Sequence, residues 1–307
     1  MAYPGSTLYP GTTTYPGYTS LTAAYQGYYN GLQFGPGYDV QLVKIDGLRD
    51  TTSQATGNVH LPRLDGDAPG VNTLGERVLV LTFAVFTPVA AFESVLASIT
   101  QAFQPISNPA VQPAFQFVLP GWGSPRQVLG RPGHGSISID TDFQRNLARS
   151  IVVELVCSDP LIYDVVVQTN SAGLPSPTAG LTFPAAPNFV FGASTGGSFQ
   201  VTNLGNYNAP FQMTITGPVT NPLITLGSKF LGFKLVLSSS DTLVIDTHPL
   251  THSAILNGTA SRAGTILTGS SWLALPPVVS TLGVASSDSA PVAANFAASW
   301  QNVWGFM

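Results

Sequence analysis

The chain of 307 residues carries 11 lysines and arginines against 15 aspartates and glutamates, so its net charge is −4 and only 8% of its residues are charged. Nucleic-acid binding depends on neutralising phosphates with basic side chains, so this composition argues against a protein that grips DNA or RNA. The single cysteine, Cys157, excludes an intrachain disulfide and is predicted to be a small buried residue rather than a nucleophile.

Residues 1–30 are predicted to form an extended arm. Tyr-Pro-Gly occurs at positions 3–5, 9–11 and 15–17, and proline and glycine at this density prevent a helix and interrupt a sheet. The tyrosines favour an arm that lies on another surface, because free linkers contain few aromatic residues. The alternative is a disordered tail.

Residues 31–165 are predicted to form a mainly β domain with one helix. Glu76–Phe86 is almost entirely apolar, which predicts a strand buried on both faces. Thr87 suits an N-cap and Pro88 suits the first helical position. Apolar residues then recur at spacings of three and four, so the helix is expected at about 88–104.

A hairpin is predicted next, with strands at Gln127–Gly130 and His134–Asp140 joined by a Gly-Pro turn. Four residues in or beside its turns are candidates for contact with a neighbouring subunit. They are Trp122, Arg126, Arg131 and His134. The alternative is that these turns simply face solvent.

Residues 166–307 are predicted to form a β-sandwich. Short alternating strands recur with turns between them, and Asn257-Gly258 is a strong hairpin signal. The whole segment contains six charged side chains: Asp241, Asp246, Asp288, Lys229, Lys234 and Arg262. A surface with so few charges favours association, which indicates a component of an assembly.

No catalytic, cofactor or metal site is predicted. His248 and His252 are four residues apart, but Pro249 between them prevents the helix that would place both on one metal ion. The sequence has no Gly-x-Ser-x-Gly elbow for a serine nucleophile. We therefore expect a protein that is not an enzyme.

The chain is also expected to be made in a cytoplasm and not to enter a membrane. Its start lacks the basic and apolar segments of a secretory signal. Its longest apolar stretch, Val78–Phe86, is far shorter than the roughly 20 residues that span a bilayer.

Several stretches, in this order, resemble the distal tail proteins of siphophages. They are Gly75–Leu81 followed by one helix, Val153–Tyr163 with its Asp-Pro-x-x-Tyr corner, Asn203–Asn206, Phe211–Pro222, Asp241–Thr247, Ile255–Gly258 with Arg262, Ser271–Pro276 and Ser299–Trp304. The resemblance spans roughly residues 31–307. The Tyr-Pro-Gly arm is not part of the family pattern, and Leu275-Pro276-Pro277 replaces a typical Pro-Gly-Asn turn.

This resemblance implies a structural virion protein at the tail tip. The first domain, residues 31–165, would form a homohexameric ring that continues the tail tube and lets DNA pass as cargo. The second domain, residues 166–307, would be a galectin-like β-sandwich. The implied partners are the tail tube protein, the tape measure protein, and the tail-tip hub and receptor-binding proteins.

The alternative function is a carbohydrate-binding adhesin at the host surface. Sugars stack on exposed aromatic rings, and the candidate platforms are Trp272, Trp300 and Trp304. The competing interpretation is that these tryptophans are buried anchors of a core or an interface.

Overall fold

The computed structural model describes residues 21, 24–50, 54–60, 65, 67–68, 70–139, 141–145, 147–177, 194–195, 197–288 and 292–305. Most of the predicted arm, residues 1–30, lies outside this description. The prediction is wrong for Gly27–Tyr29, which forms a strand in which Tyr29 is fully buried. The described residues divide into two compact units. The first ends at Val166 but also includes Trp304 and Gly305, and the second is Val167–Val303.

The described residues of the first unit form thirteen strands and one α-helix. They are β1 (Gly27–Tyr29), β2 (Leu32–Phe34), β3 (Val40–Asp46), β4 (Gln54–Thr56), β5 (Val59–His60), β6 (Asp67–Ala68), β7 (Asn72–Leu74), β8 (Arg77–Phe86), α1 (Phe92–Ala102), β9 (Ala114–Phe117), β10 (Arg126–Leu129), β11 (Arg131–Ile137), β12 (Leu147–Cys157) and β13 (Ile162–Asp164). Short 3-10 turns occur at Val89–Ala91 and Phe143–Arg145.

Two antiparallel sheets enclose the core of the first unit. One has the order β2-β1-β9-β10-β13, followed by the short strand Val303–Trp304, and the other has the order β11-β12-β8-β3. Phe34 and Phe83 come from different sheets, and their ring centroids lie 5.2 Å apart. Tyr29 stacks on Phe103 with ring centroids 4.9 Å apart, which places the end of α1 against the same core.

Strand β8 is buried on one face rather than on both. Leu79, Leu81 and Phe83 are fully buried, whereas Val78 and Val80 between them are only half-buried. The expectation of two buried faces was therefore wrong for most of this strand. A purely apolar sequence does not reveal whether its second face meets the same chain or another molecule.

The single helix is confirmed, but its start differs from the prediction. The α-helix begins at Phe92 after the 3-10 turn, and neither helical segment has a side-chain cap, so Thr87 does not act as one. Phe92, Leu96 and Ile99 are buried as the spacing predicted, and Ala102 is buried beside them. Asn30 donates a hydrogen bond from Nδ2 to the carbonyl of Ala102 at 2.9 Å, which satisfies an end group of the helix.

The Asp-Pro-x-x-Tyr corner joins the two sheets of the first unit. Asp159 is 2% exposed and accepts a hydrogen bond from the Tyr163 hydroxyl at 2.5 Å and from the Leu161 amide at 3.1 Å. The corner therefore fixes β12 to β13 through one buried carboxyl group.

Replacing Tyr163 with phenylalanine should lower the free energy of unfolding of the first unit by roughly 2 kcal/mol, because a buried carboxyl oxygen loses a donor. Chemical denaturation followed by circular dichroism measures the change. Tyr207→Phe is the matched control, since Tyr207 is 37% exposed. Equal stability of the two variants would show that the hydroxyl of Tyr163 does not stabilise the corner.

The second unit is built from antiparallel strands and contains no α-helix in its described residues. The strands are β14 (Gln168–Gly173), β15 (Ser176–Pro177), β16 (Ser194–Thr195), β17 (Ser198–Thr202), β18 (Phe211–Thr216), β19 (Val219–Thr220), β20 (Leu223–Leu226), β21 (Lys229–Gly232), β22 (Val236–Leu237), β23 (Thr242–Asp246), β24 (Ser253–Leu256), β25 (Ala260–Ser261), β26 (Val279–Ala285) and β27 (Asn295–Trp300). Strand β28 (Val303–Trp304) follows, and its second residue belongs to the first unit.

Two main sheets form the second unit, with the orders β14-β27-β18-β23-β24-β25 and β17-β26-β20-β21. Buried residues alternate with half-buried or exposed ones along β18 and β27, so one face of their sheet is packed as the pattern predicted. The Asn-Gly hairpin is confirmed, because Asn257 and Gly258 both have positive φ angles, 51° and 74°. The prediction of a mainly β chain is therefore confirmed in both units.

Candidate functional site

Three of the predicted surface residues meet in one cluster inside the first unit. The Arg126 guanidinium lies between two indole rings, with Cζ 4.3 Å from the ring centroid of Trp122 and 3.7 Å from that of Trp304. Asp164 lies beside it, with Oδ1 3.3 Å from Arg126 Nε and accepting a hydrogen bond from Trp304 Nε1 at 3.0 Å. We call these four residues the Arg126 cluster.

The two charged residues of the Arg126 cluster are buried, and its two indole rings are half-buried. Arg126 is 9% exposed, and Asp164 is 7% exposed. Burial lowers the pKa of Arg126 from its usual value, and the nearby Asp164 carboxylate partly offsets this effect. A guanidinium held between two rings and beside a carboxylate is stabilised by cation–π and ionic contacts at a site with little water. The cluster therefore packs the first unit in the described chain, and a direct subunit contact through it remains a prediction.

The hairpin predicted around Arg131 is not formed. Strand β10 belongs to one sheet and β11 to the other, so the chain changes sheet at Gly130. A Cβ at Gly130 would lie 2.8 Å from Cys157 Sγ, which explains why the tight corner holds a glycine. Arg131 donates a hydrogen bond to the carbonyl of Ile106, and His134 is exposed on β11. Neither residue is part of the Arg126 cluster.

Strand β11 is an exposed edge of the four-stranded sheet. Its residues from Gly133 to Ile137 are exposed, and only β12 pairs with it among the described strands. The Ser138 amide donates to the Ser150 carbonyl at 3.3 Å. Because paired and unpaired positions alternate in an antiparallel ladder, the backbone N–H and C=O of Ile137 point towards the open edge.

The face of this sheet that points away from the core is partly apolar. It carries the half-buried valines Val78 and Val80 on β8, and Val152 and Val156 on β12. The same face also carries two acidic residues, Glu154 on β12 and Asp46 on β3, which pair with Val80 from its two sides. An open edge and an apolar outer face together are typical of a sheet that is completed by another molecule.

Sequence reasoning did not single out Arg77, which is 2% exposed and surrounded by backbone carbonyl groups. Its Nε donates to Pro160 at 2.8 Å, its Nη1 donates to Gly47 at 3.0 Å and Leu48 at 2.8 Å, and its Nη2 donates to Gly305 at 2.7 Å. We call this set the Arg77 cage. Burial is the largest effect on Arg77 and lowers its pKa from the usual value.

The three predicted sugar platforms have different surroundings. Trp300 is 5% exposed, and its Nε1 donates to the Thr202 carbonyl at 2.8 Å, so it packs the second unit. Trp304 has Arg126 on one face. Trp272 is half-buried and stacks on His252, with ring centroids 4.4 Å apart and planes 2° from parallel. Trp272 and Trp304 are therefore both half-buried with one ring face covered, whereas Trp300 is buried.

Protonation of His252 should change the fluorescence of Trp272, because the two rings are stacked. Partial burial is the largest effect and lowers the pKa of His252 below 6.5, while a hydrogen bond to the backbone of Thr247 and the nearby Asp246 raise it in part. A depressed histidine pKa means that the associated stability is present above the unfolded pKa and is lost as the pH falls through the folded pKa. We expect a fluorescence transition with a midpoint below pH 6.5, and Trp272→Phe should abolish it. A midpoint above 6.5 would contradict the arrangement.

The described residues contain no cluster of three or more histidines, cysteines, aspartates or glutamates that could hold a metal ion. Burial raises the pKa of Cys157 to about 12, so its thiol stays protonated near neutral pH.

The only α-helix among the described residues has 11 residues. No helix in this part of the chain is long and apolar enough to span a membrane. A pocket of about 270 Å³ beside β3 is lined by Leu42, Val43 and Leu119 together with neighbouring residues.

Residues 204–300 match the family described as siphovirus-type tail component, C-terminal domain. Over these residues the second unit is similar to a siphovirus-type tail component. The matched residues run from the turn after β17 to the end of β27, so they cover most of the second unit. The resemblance to siphophage distal tail proteins that was drawn from the sequence is confirmed by this match together with the fold comparison below.

The fold of the whole chain is similar to that of a solved tail protein. The crystal structure of SPP1 Dit (gp 19.1), described as a paradigm of the hub adsorption apparatus in Gram-positive infecting phages, has a TM-score of 0.60 and 15% identity. The alignment covers 91% of this chain and 98% of that chain. At this identity the similarity shows the fold.

Two structures of the phage P2 baseplate in its activated conformation are also similar, one with Ca and one with Sr. The first has 8% identity, a TM-score of 0.44, and covers 88% of this chain and 93% of that chain. The second has 7% identity, a TM-score of 0.43, and covers 86% and 91%. No curated protein matches the chain significantly.

Proposed function

We propose that this protein is a structural component of a siphophage tail tip, without catalytic activity, and that its first unit forms a homohexameric ring. The tail component domain in residues 204–300 and the fold shared with SPP1 Dit support the place in a tail or baseplate hub. The observation that carries the ring is the four-stranded sheet with its open edge at β11 and its partly apolar outer face.

The edge strand explains how copies of the chain would associate. An exposed strand with unpaired backbone groups is a template for pairing with another chain, and closure into a ring removes the edge. Lys44 and Asp46 form an ion pair of 2.8 Å at the opposite edge of the same sheet, on β3, but both side chains are largely exposed. Such a pair contributes little, so backbone pairing and apolar contact would provide most of the association energy.

A ring of this composition suits the passage of DNA. Residues 1–165 contain 8 basic and 12 acidic side chains, so the part of the chain assigned to the ring is acidic. Like charges disfavour contact, so DNA would move past such a ring as cargo without adhering. Two of its bases, Arg77 and Arg126, are buried in internal contacts and are withdrawn from any DNA.

The second unit would be the docking module of the tip. In this proposal it is a galectin-like β-sandwich. Its few charged side chains suit contact with the tail-tip hub and receptor-binding proteins. The ring itself would contact the tail tube protein and the tape measure protein. The protein would be synthesised in the host cytoplasm and would end in the virion tail tip.

The mass of the purified protein in solution tests the proposal. Light scattering should give about six times the chain mass of 32.1 kDa, and electron micrographs should show rings with a central hole. A single species of 32.1 kDa at all accessible concentrations would overturn it.

The adhesin function stays an alternative that rests on Trp272. The rings of Trp300 and Trp304 are occupied by packing within their own units. A glycan array with the full chain and with Trp272→Ala tests the remaining platform. Binding that is lost in the variant would support the adhesin, and binding that is unchanged would reject this platform.

A further inference from the structure

Trp304 and Gly305 follow the second unit in the chain but are held by the first. Trp304 covers one face of the Arg126 guanidinium and donates its indole N–H to Asp164. One residue later, the carbonyl of Gly305 accepts a hydrogen bond from Arg77. Two buried arginines of the first unit, far apart in sequence, therefore both bind this two-residue segment.

The first unit is incomplete without this segment. Removing Trp304 would open one side of the Arg126 guanidinium and take a donor from Asp164, and both groups are buried. Removing Gly305 would take one carbonyl acceptor from the Arg77 cage. Buried charges that lose their partners are strongly destabilising, so the effect should be larger than the size of the segment suggests.

The boundary between the two units falls between Val303 and Trp304. Val303 is held within the second unit, because its amide donates to Asn203 Oδ1 at 3.3 Å and its carbonyl accepts from the amides of Asn206 and Tyr207 at 3.0 and 3.2 Å. A chain that ends after Val303 keeps all of these contacts. The segment can therefore be removed from the first unit without removing any of these contacts from the second.

We propose that Trp304–Gly305 is a completion latch: the first unit becomes competent for assembly only after this segment docks on the Arg126 cluster and the Arg77 cage. Synthesis runs from residue 1 onwards, so the whole of Val167–Val303 is made before the latch exists. Incomplete chains that lack the second unit would then be kept out of the assembly. The assembly part of this inference rests on the proposed ring, whereas docking of the latch does not.

The test compares the full chain with a chain that ends after Val303. Calorimetry should show a first-unit transition lowered by roughly 10 °C in the shortened chain, with the second-unit transition unchanged. Hydrogen exchange should rise in β10 and β13, and light scattering should show loss of the assembly. A synthetic peptide of residues 302–307 added in excess should restore both protection and assembly.

Matched variants keep the test decisive. The same peptide with alanine at position 304 should not rescue, and Trp304→Phe in the full chain should retain part of the assembly because it keeps a ring over Arg126. Leu250→Ala, at a site 57% exposed in the second unit, should behave like the full chain. Unchanged exchange in β10 and β13 after shortening would overturn the latch, whereas a full chain that never assembles would overturn the ring instead.

Discussion

Arg77→Met should lower the free energy of unfolding of the first unit by roughly 3–5 kcal/mol, the largest effect that we expect from a single substitution. The Arg77 side chain donates to carbonyl groups at Gly47, Leu48, Pro160 and Gly305, and no ordinary side chain of similar volume supplies so many donors in a planar arrangement. Methionine fills the volume but leaves these carbonyls without their donor.

The measurement is the first transition in denaturation of the full chain, followed by calorimetry or by exchange of β8 amides. Arg77→Lys should fall between the wild type and Arg77→Met, because an ammonium group is compact and cannot reach every carbonyl. Arg49→Met makes the same change of charge at an exposed neighbour of the cage and should be nearly neutral. Equal loss in Arg49→Met and Arg77→Met would mean that net charge, rather than the cage, sets the stability.

Ile137→Pro should abolish the assembly while leaving most of the fold of the first unit intact. The backbone N–H of Ile137 points to the open edge of β11, so proline there removes a donor that β12 does not use and that a neighbouring chain could pair with. Light scattering should then report single chains of 32.1 kDa.

Ser138→Pro is the matched control, since the Ser138 amide donates within the sheet to Ser150. This variant should lower the stability of the first unit itself, whereas Ile137→Val should change neither stability nor assembly. If Ile137→Pro assembles as the wild type does, the ring is not closed through this edge.

Much of the fold follows from the alternation of apolar and polar residues along the strands. The burial of Arg77, which we did not single out from the sequence, follows from the same alternation. Arg77 has the same parity as Leu79, Leu81 and Phe83, so the alternation along β8 places it on the buried face. That parity was a usable signal. The carbonyl groups that satisfy it come from positions 47–48, 160 and 305, and no local pattern relates these to one another.

Other features could not be predicted because alternation does not identify a strand's partner. The segments before and after Gly130 read as the two arms of a hairpin, yet they join different sheets. The meeting of Trp122, Arg126 and Trp304 depends on contacts across about 180 residues of sequence, and aromatic residues near turns look the same whether they face solvent or a buried guanidinium.

The reliance of the proposed ring on backbone pairing and on contacts between valines has a consequence for the environments that it would tolerate. Dissolved ions screen exposed charge pairs, but they leave backbone pairing intact and do not weaken contacts between valines. A ring closed through β11 and lined by Val78, Val80, Val152 and Val156 should therefore keep its mass from dilute buffer to about 1 M sodium chloride, where the screening length is only about 3 Å. Ionic strength would then be a poor trigger for opening the tip, and release would have to come from mechanical or conformational work at the partners.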